Sequence, residues 1–260
     1  MSIRLRTSRF GIAVLALALA ACDEKRPAPR THHHHAPSVN PIDRMLRSAV
    51  NAPRQEGVAI VLLVDVSGSM GETVADAQGR PQQKIIIAKR CALDLIGKAE
   101  QYAAKNPERT IRLAVFEFSA RDRQPSCRPV VGMGAPKRTP AEPAISRMAA
   151  NGGTPIGDAM CEAKLALDAT GLTRQHMMVV TDGENTHGFS PGDVAHVMLQ
   201  RLPEDRRPAL YFIAFDVASA KFKEVRDAGA ILEGASNEAQ LSQQFDSILT
   251  GRILVEAPPK

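Results

Sequence analysis

Short apolar runs alternate with longer helical patterns of apolar residues along the chain from about residue 53 to residue 250. The run at 58–64 is unbroken and rich in branched side chains, which is typical of a parallel strand covered by helices on both faces. Similar buried runs occur at 176–181 and 209–215, and helical patterns cover 82–102, 156–169 and 193–202. This alternation predicts an α/β fold with a mostly parallel central sheet and helices on both of its faces.

The remaining segments complete the predicted domain. Residues 111–118 show the mixed alternation of a strand, and residues 127–131 are predicted to return beside it as one antiparallel strand at the sheet edge. Shorter helices are predicted at 141–149 and 221–227, followed by a short last strand at 230–232. A final helix carries an apolar stripe formed by Leu241, Phe245, Ile248 and Leu249. Ahead of the domain, one short amphipathic helix that packs on it is predicted from Ile42, Met45, Leu46, Ala49 and Val50.

The first residues are typical of a bacterial secretory signal. Three arginines and no acid precede an apolar stretch at 11–19 that is too short to span a bilayer as a mature helix. The stretch ends in Leu-Ala-Ala-Cys, which resembles a lipobox, so we predict that Cys22 is lipidated and becomes the new amino terminus. The alternative is an ordinary signal with a chance cysteine. Asp23 resembles a retention signal of enterobacterial lipoproteins, which favours the periplasmic face of the inner membrane, with the outer membrane as the second choice.

The chain is therefore predicted to have four regions, which are a signal peptide at 1–21, a lipidated tether with the amphipathic helix at 22–52, the α/β domain at 53–250 and a tail at 251–260. The tether is rich in proline and charge, and its histidines at 32–35 form either a transition-metal site or part of a solvated linker. Removal of residues 1–21 takes away three arginines and no acid, so the formal net charge falls from +5 to +2. With no tryptophan and no basic cluster among aromatic residues, nucleic-acid binding is not supported.

Oxygen-bearing side chains gather where two predicted strands end. Asp65, Ser67 and Ser69 follow the apolar run at 58–64, and Asp182 follows the strand at 176–181. Thr154 lies in a glycine-rich turn ahead of a helix. Ligand sites of open α/β sheets lie at the carboxyl ends of the strands, so these side chains are predicted to meet there. Hydroxyl and carboxylate oxygens favour Mg²⁺, Mn²⁺ or Ca²⁺ and provide no soft donor for zinc or copper.

The five residues and the words around them, SGSM, GGTPIG and TDGE, resemble the metal-ion-dependent adhesion site of von Willebrand factor type A domains. The resemblance covers roughly residues 53–250, including the order of elements. It implies that Ser67, Ser69 and Thr154 bind the cation largely through their hydroxyls, and that Asp65 and Asp182 act directly or through water. It also implies that one coordination position stays open for a carboxylate of a protein partner. Mg²⁺ is the expected ion, with Mn²⁺ or Ca²⁺ as alternatives.

Several polar residues are predicted to border this site. Glu72 begins a polar stretch at 72–80 that delays the first helix and is either a partner-selecting element or an idle surface loop. Asp158 is interpreted as a charge that favours the helix dipole rather than as a ligand. The loop after Asp182 is predicted to join the rim, so candidates for partner contact are Glu72, Glu184, Asn185 and His187.

Three cysteines remain after Cys22, and three thiols cannot all pair. An oxidising periplasm favours one disulfide. We predict that it joins Cys127 to Cys161, since both should approach the metal-bearing edge of the sheet, and that Cys91 is a small buried residue.

The leading functional hypothesis is a non-enzymatic binding module anchored to the membrane by lipid, with a protein partner that presents Asp or Glu and with no small-molecule substrate. A second hypothesis is a structural subunit of an envelope complex in which the ion only stabilises loops. A third is a serine hydrolase with Ser69 as nucleophile, Asp182, and His187 or His196. A phosphatase of the haloacid dehalogenase type is disfavoured, because Ser67 stands where that chemistry requires a second aspartate.

Overall fold

The structure is a computed structural model that describes residues 39–48, 52–122 and 126–256. The predicted signal peptide, the Cys22 lipidation site and the histidines at 32–35 lie outside these residues. Among the helices of the described residues, none is long and apolar enough to cross a membrane.

The described residues form eight strands, six of which make the central sheet. The bounds of the strands are β1 Gln55–Asp65, β2 Thr73–Ala75, β3 Pro81–Gln83, β4 Ile111–Phe118, β5 Cys127–Gly134, β6 Leu172–Thr181, β7 Ala209–Phe215 and β8 Ile231–Ala235. The spatial order in the sheet is β5, β4, β1, β6, β7, β8. Pairing is parallel throughout except between β4 and β5, which confirms the predicted sheet with its antiparallel edge strand.

Helices lie on both faces of the sheet. Their bounds are α1 Val39–Arg47, α2 Lys84–Lys105, α3 Arg138–Ser146, α4 Ile156–Asp168, α5 Pro191–His196, α6 Lys223–Asp227 and α7 Glu238–Ile248. Two α-helices end in a π-helical turn, α5 at Val197–Arg201 and α7 at Leu249–Ile253.

The position of β1 between two layers of helices explains why its sequence is apolar without interruption. Val58, Ile60 and Leu62 point into a core cluster that also contains residues of α2, α3 and α7. Ala59 and Val61 point into a second cluster that contains residues of α1, α4 and α5. Since successive side chains of a strand point to opposite faces, a central strand between two helical layers needs apolar residues at every position.

The register of the central strands determines which residues meet at the carboxyl edge. Val64 of β1 lies beside Val180 of β6, and Thr181 lies beside Ala214 of β7. Asp65, which ends β1, and Asp182 and Asp216, which follow β6 and β7, are therefore brought to one edge although they are far apart in sequence.

Two features outside the sheet bear on the predictions. The polar stretch after Glu72 is not a plain loop, because β2 and β3 pair as an antiparallel hairpin. Helix α1 packs on the domain as predicted, with Ile42 and Leu46 fully buried in the second core cluster.

Candidate functional site

Asp65 ends β1 with a fully buried carboxylate. Its Oδ1 accepts a hydrogen bond from the Ser67 backbone N–H at 2.7 Å, and its Oδ2 accepts one from the Thr181 hydroxyl at 2.6 Å. Burial raises the pKa of Asp65 to about 6, although the hydrogen bonds from Thr181 and Ser67 oppose the rise and nearby Asp182 adds to it. The ionised form is therefore under-compensated by the protein, which is the electrostatic environment that attracts a cation.

Ser67, Ser69 and Asp182 form a continuous chain of oxygens. The backbone turns sharply as a 3₁₀ helix over Gly68–Gly71 directly after Ser67. This turn brings the two serine hydroxyl oxygens to 3.2 Å from each other. The Ser69 hydroxyl donates to Asp182 Oδ1 at 2.7 Å. The backbone N–H of Ser67 and the hydroxyls of Ser67 and Ser69 thus connect Asp65, which ends β1, with Asp182, which follows β6.

The glycine-rich turn places Thr154 beside this chain of oxygens. Gly152 has φ +88°, and a Cβ on it would lie 2.2 Å from the carbonyl oxygen of Ala120, so only glycine fits there. The Gly152 carbonyl accepts a hydrogen bond from Gly68 N–H at 2.9 Å, which ties the turn to the Ser67–Ser69 segment. A Cβ built on Gly183 would lie 3.5 Å from Thr154 Oγ1 and 3.7 Å from Ser69 Oγ. Both hydroxyls therefore face the same space.

This donor set fits one kind of ion. Among the described residues, no group of three or more His, Cys, Asp and Glu side chains could hold a metal. A metal at this edge would therefore need the hydroxyls of Ser67, Ser69 and Thr154 as well as the carboxylates of Asp65 and Asp182. Such hard oxygens suit Mg²⁺, Mn²⁺ or Ca²⁺ and are poor ligands for soft metals. The residues present fit a hard divalent cation.

Lys84 is a residue of the site that sequence reasoning missed. Its ammonium lies 3.0 Å from Glu72 Oε2, 3.0 Å from Asp182 Oδ2 and 3.0 Å from Asp216 Oδ2. Burial alone lowers the pKa of Lys84, but the hydrogen bonds to these three carboxylates outweigh it and raise the pKa above its usual value. One sequence signal was available, because a lysine in the first turn of a helix opposes the helix dipole and therefore needs acidic partners.

The predicted rim residues have different roles in the structure. The Glu184 carboxylate is exposed and pairs with Lys221 at 2.7 Å. His187 Nδ1 lies 2.8 Å from the hydroxyl of Thr186. The Asn185 side-chain oxygen accepts from the Ile156 backbone N–H at 2.8 Å, so it satisfies a donor at the start of α4. This bond assigns Asn185 a role within the fold that the sequence did not reveal.

The Cys127–Cys161 disulfide predicted from sequence is not formed, since Cys91, Cys127 and Cys161 are all free thiols. Cys127 at the start of β5 and Cys161 in α4 both line a cavity of about 700 Å³. Burial raises the pKa of Cys127 to about 12 and that of Cys91 to about 12. Thiols with such pKa values are poor nucleophiles at neutral pH.

Asp158 also lines this cavity, in the first turn of α4. Its Oδ1 accepts from the Phe189 backbone N–H at 2.9 Å. The carboxylate therefore holds the loop that follows Asp182.

The geometry around Ser69 does not match that of a serine hydrolase. In such enzymes a histidine stands between the nucleophile and the acid. Here the Ser69 hydroxyl donates directly to Asp182, and the imidazole of His187 lies against Thr186 instead. The fold and the site define an α/β domain with a cluster of oxygen donors at the carboxyl edge of its sheet.

Residues 60–184 match the family model of the von Willebrand factor type A domain. None of the curated proteins compared with the sequence matches it. Among solved structures, the PilB minor pilin from Streptococcus sanguinis is similar with a TM-score of 0.58 and 12% identity, covering 79% of this chain and 63% of that one.

Two further structures share the fold. A von Willebrand factor type A protein from Catenulispora acidiphila has a TM-score of 0.54 and 20% identity, covering 76% of this chain and 43% of that one. The pilus adhesin SpaC from Lactobacillus rhamnosus GG has a TM-score of 0.58 and 14% identity, covering 78% of this chain and 31% of that one. The chain spans less than two thirds of the length of each of these three structures. The family match and the shared fold support a von Willebrand factor type A domain in this chain.

Proposed function

We propose that this chain is a non-enzymatic binding module that holds a hard divalent cation and uses it to capture a carboxylate of a protein partner. The observation that carries the proposal is the convergence of Asp65, Ser67, Ser69, Thr154 and Asp182 at one edge of the sheet. Mg²⁺ is the favoured ion, and Mn²⁺ and Ca²⁺ share its preference for these oxygens.

The five proposed ligands are of two kinds, charged carboxylates and neutral hydroxyls. Asp65 and Asp182 supply negative charge, whereas the three hydroxyls can coordinate without adding any. When bound, the ion supplies a Lewis-acidic position for an incoming carboxylate. Thr181 and Ser67 orient Asp65 by hydrogen bonds, and Ser69 orients Asp182. Two acids balance the charge of a divalent ion and the three neutral donors add none, so a loaded site can still offer a coordination position to a further anion.

The partner and the location belong to the same proposal. PilB is a minor pilin and SpaC is a pilus adhesin, so domains of this fold occur in surface structures. We place this chain in the cell envelope, anchored through a lipid on Cys22 at the periplasmic face of the inner membrane, with the outer membrane as the alternative. Its partner would be a protein that presents Asp or Glu.

Isothermal titration of the full chain with Mg²⁺, Mn²⁺ and Ca²⁺ tests the ion site. We expect one bound ion for the wild type and at least a tenfold loss of affinity for Asp65→Ala and Thr154→Ala, since each removes one donor. Thr250→Ala is the matched control, because this threonine is exposed and its hydroxyl donates to the Asp246 carbonyl in the last helix. A wild type that binds none of the three ions would refute the proposal.

Capture from solubilised membranes, first with Mg²⁺ and then with chelator, tests the use of the ion. A captured protein that chelator releases, and that Thr154→Ala fails to capture, would support ligand binding through the ion. Capture that persists in chelator and in this variant would instead favour the structural-subunit alternative.

A further inference from the structure

Lys84 places a buried positive charge one carboxylate away from the proposed ion. The Lys84 side chain is 3% exposed and that of Asp182 is 0% exposed, so their contact at 3.0 Å is shielded from water. Asp182 uses its two oxygens differently, since Oδ1 accepts from Ser69 and Oδ2 accepts from Lys84. One end of this carboxylate therefore faces the ion site and the other faces an ammonium.

The other two partners of Lys84 are much more exposed. The side chain of Glu72 is 69% exposed and that of Asp216 is 40% exposed. Water and salt screen the charges of such groups far more than those of a buried pair. The contact with Asp182 is thus the one through which Lys84 acts most strongly on the site.

We propose that Lys84 is a positioning residue that sets the charge of the site, weakening the binding of the cation itself and strengthening the binding of a carboxylate to the cation once it is held. This inference rests on the proposed function. It assigns to Lys84 a role in ligand affinity that neither the five-donor pattern nor the fold implies.

Lys84 acts on the site through its charge. Without Lys84, the two aspartates at the site would neutralise a divalent ion completely, and an incoming carboxylate would meet no net charge. Because Lys84 offsets part of the charge on Asp182, the loaded site presents a more positive potential to an incoming carboxylate than it would without this lysine. The same positive charge repels the cation during loading. The two affinities must therefore respond to Lys84 in opposite directions.

Titrations of the full-length Lys84→Gln variant test this inference. The shorter amide removes the charge but keeps a donor for Asp182. Mn²⁺ binding is measured by calorimetry, and acetate binding to the Mn²⁺-loaded protein is measured by the fall in water proton relaxation as acetate displaces water. We expect Lys84→Gln to bind Mn²⁺ about tenfold more tightly and acetate about tenfold more weakly than the wild type does. The reason is that the Lys84 charge acts on both ligands, with only the Asp182 carboxylate between it and the ion.

Two controls separate charge from folding. Lys84→Arg keeps the charge, so its affinities for Mn²⁺ and for acetate should stay within about threefold of those of the wild type. This range is smaller than the tenfold changes expected for Lys84→Gln. Lys98→Gln lies in the same helix but pairs with Asp246, so it should change neither affinity. Affinities for Mn²⁺ and acetate that fall together in Lys84→Gln, or that both stay unchanged, would overturn the inference.

Other outcomes are equally decisive. Should Lys84→Gln fail to fold, Lys84→Met removes the same charge from a side chain of similar length, and it should bind Mn²⁺ more tightly and acetate more weakly than the wild type does. Unchanged affinities in that variant would overturn the inference. If the wild type binds no Mn²⁺, both the proposed function and the inference about Lys84 are overturned. If the wild type binds Mn²⁺, the Lys84 variants test the inference separately from the proposed function.

Discussion

Asp65 is the residue at which the proposed ion binding and the stability of the metal-free fold oppose each other. Burial raises its pKa from 3.8 to about 6. An acid whose pKa is higher in the folded state than in the unfolded state stabilises the fold only while it is protonated. The folded state therefore loses stability as the pH rises from about 4 to about 6, by up to about 3 kcal/mol for a shift of two units. A bound cation would compensate this charge.

Replacement of Asp65 by Asn should therefore stabilise the metal-free protein. We expect Asp65→Asn to raise the free energy of unfolding at pH 7 in chelator by about 1–3 kcal/mol, because the uncharged amide avoids the burial cost. At pH 4 the difference should disappear, since Asp65 is then protonated in the folded wild type. Urea denaturation at the two pH values measures this, with the exposed Glu204→Gln as control. Equal stabilities at pH 7 would contradict the assigned cause of the pKa shift.

The side chain of Glu238 joins the β2–β3 hairpin to helices α2 and α7. Glu238, the first residue of α7, accepts two hydrogen bonds from Arg90 of α2, each 2.7 Å long. Its Oε2 also accepts from the Ala77 backbone N–H in the turn between β2 and β3 at 2.9 Å. At the other end, the Tyr102 hydroxyl donates to the Leu254 carbonyl at 2.8 Å. Helix α7 is therefore tied to α2 at its first residue, and the segment that follows α7 is tied to α2 through Tyr102.

Loss of the charge on Glu238 should loosen this arrangement. The hydrogen bonds from Arg90 lower the pKa of Glu238 from its usual 4.5. An acid with a lowered pKa stabilises the fold above its usual pKa, and this contribution is lost as the pH falls through the folded-state value. We expect Glu238→Gln to lower the free energy of unfolding by about 1–2 kcal/mol at pH 7, because the pair is bidentate and partly buried.

Urea denaturation of the Glu238→Gln variant at pH 7 and at pH 3 measures this contribution. The difference from the wild type should shrink as the pH falls below the usual pKa of 4.5 towards the lowered pKa of Glu238. Asp246→Asn in the same helix is the control, because its pair with Lys98 is half-exposed and should contribute less than about 1 kcal/mol. A deficit of the same size at both pH values would show that the charge is not the cause.

At the scale of the whole molecule, the described residues pack into two separate core clusters, one on each face of the sheet. Helix α1, which precedes β1 in sequence, helps to close the second cluster through Ile42 and Leu46. Arg206 also donates to the Leu46 carbonyl at 2.8 Å, which fixes the end of this helix. Helix α1 is therefore part of the packed structure and not only a spacer ahead of it.

Truncation of Leu46 should lower the free energy of unfolding as much as truncation of any central core residue. We expect Leu46→Ala to lower the free energy of unfolding by about 2–4 kcal/mol, since the side chain is fully buried and leaves a cavity. The exposed neighbour Arg44→Ala should change it by less than about 0.5 kcal/mol. Thermal and urea unfolding measure both. A Leu46→Ala variant as stable as Arg44→Ala would mean that α1 does not contribute to the core.

Much of the fold was predictable because its signals are local. The unbroken apolar run before Asp65, the glycines before Thr154 and the apolar run before Asp182 each identify a strand end or turn without knowledge of the rest of the chain. The strand at 111–118 agrees with β4 at both ends. The hairpin after Glu72 was missed, because its strands are three residues long and carry no clear alternation.

The sequence by itself determined which oxygens are available and that they follow parallel strands, since residue type and hydrophobic period are written along the chain. Only the tertiary structure decided which of them have partners. Lys84 meets Asp182 across 98 positions, and Asn185 meets the start of α4 across 29. Cys127 and Cys161 line one cavity without forming a bond. Such contacts depend on distances between elements, which are set by the packing of the sheet and helices and leave no local pattern.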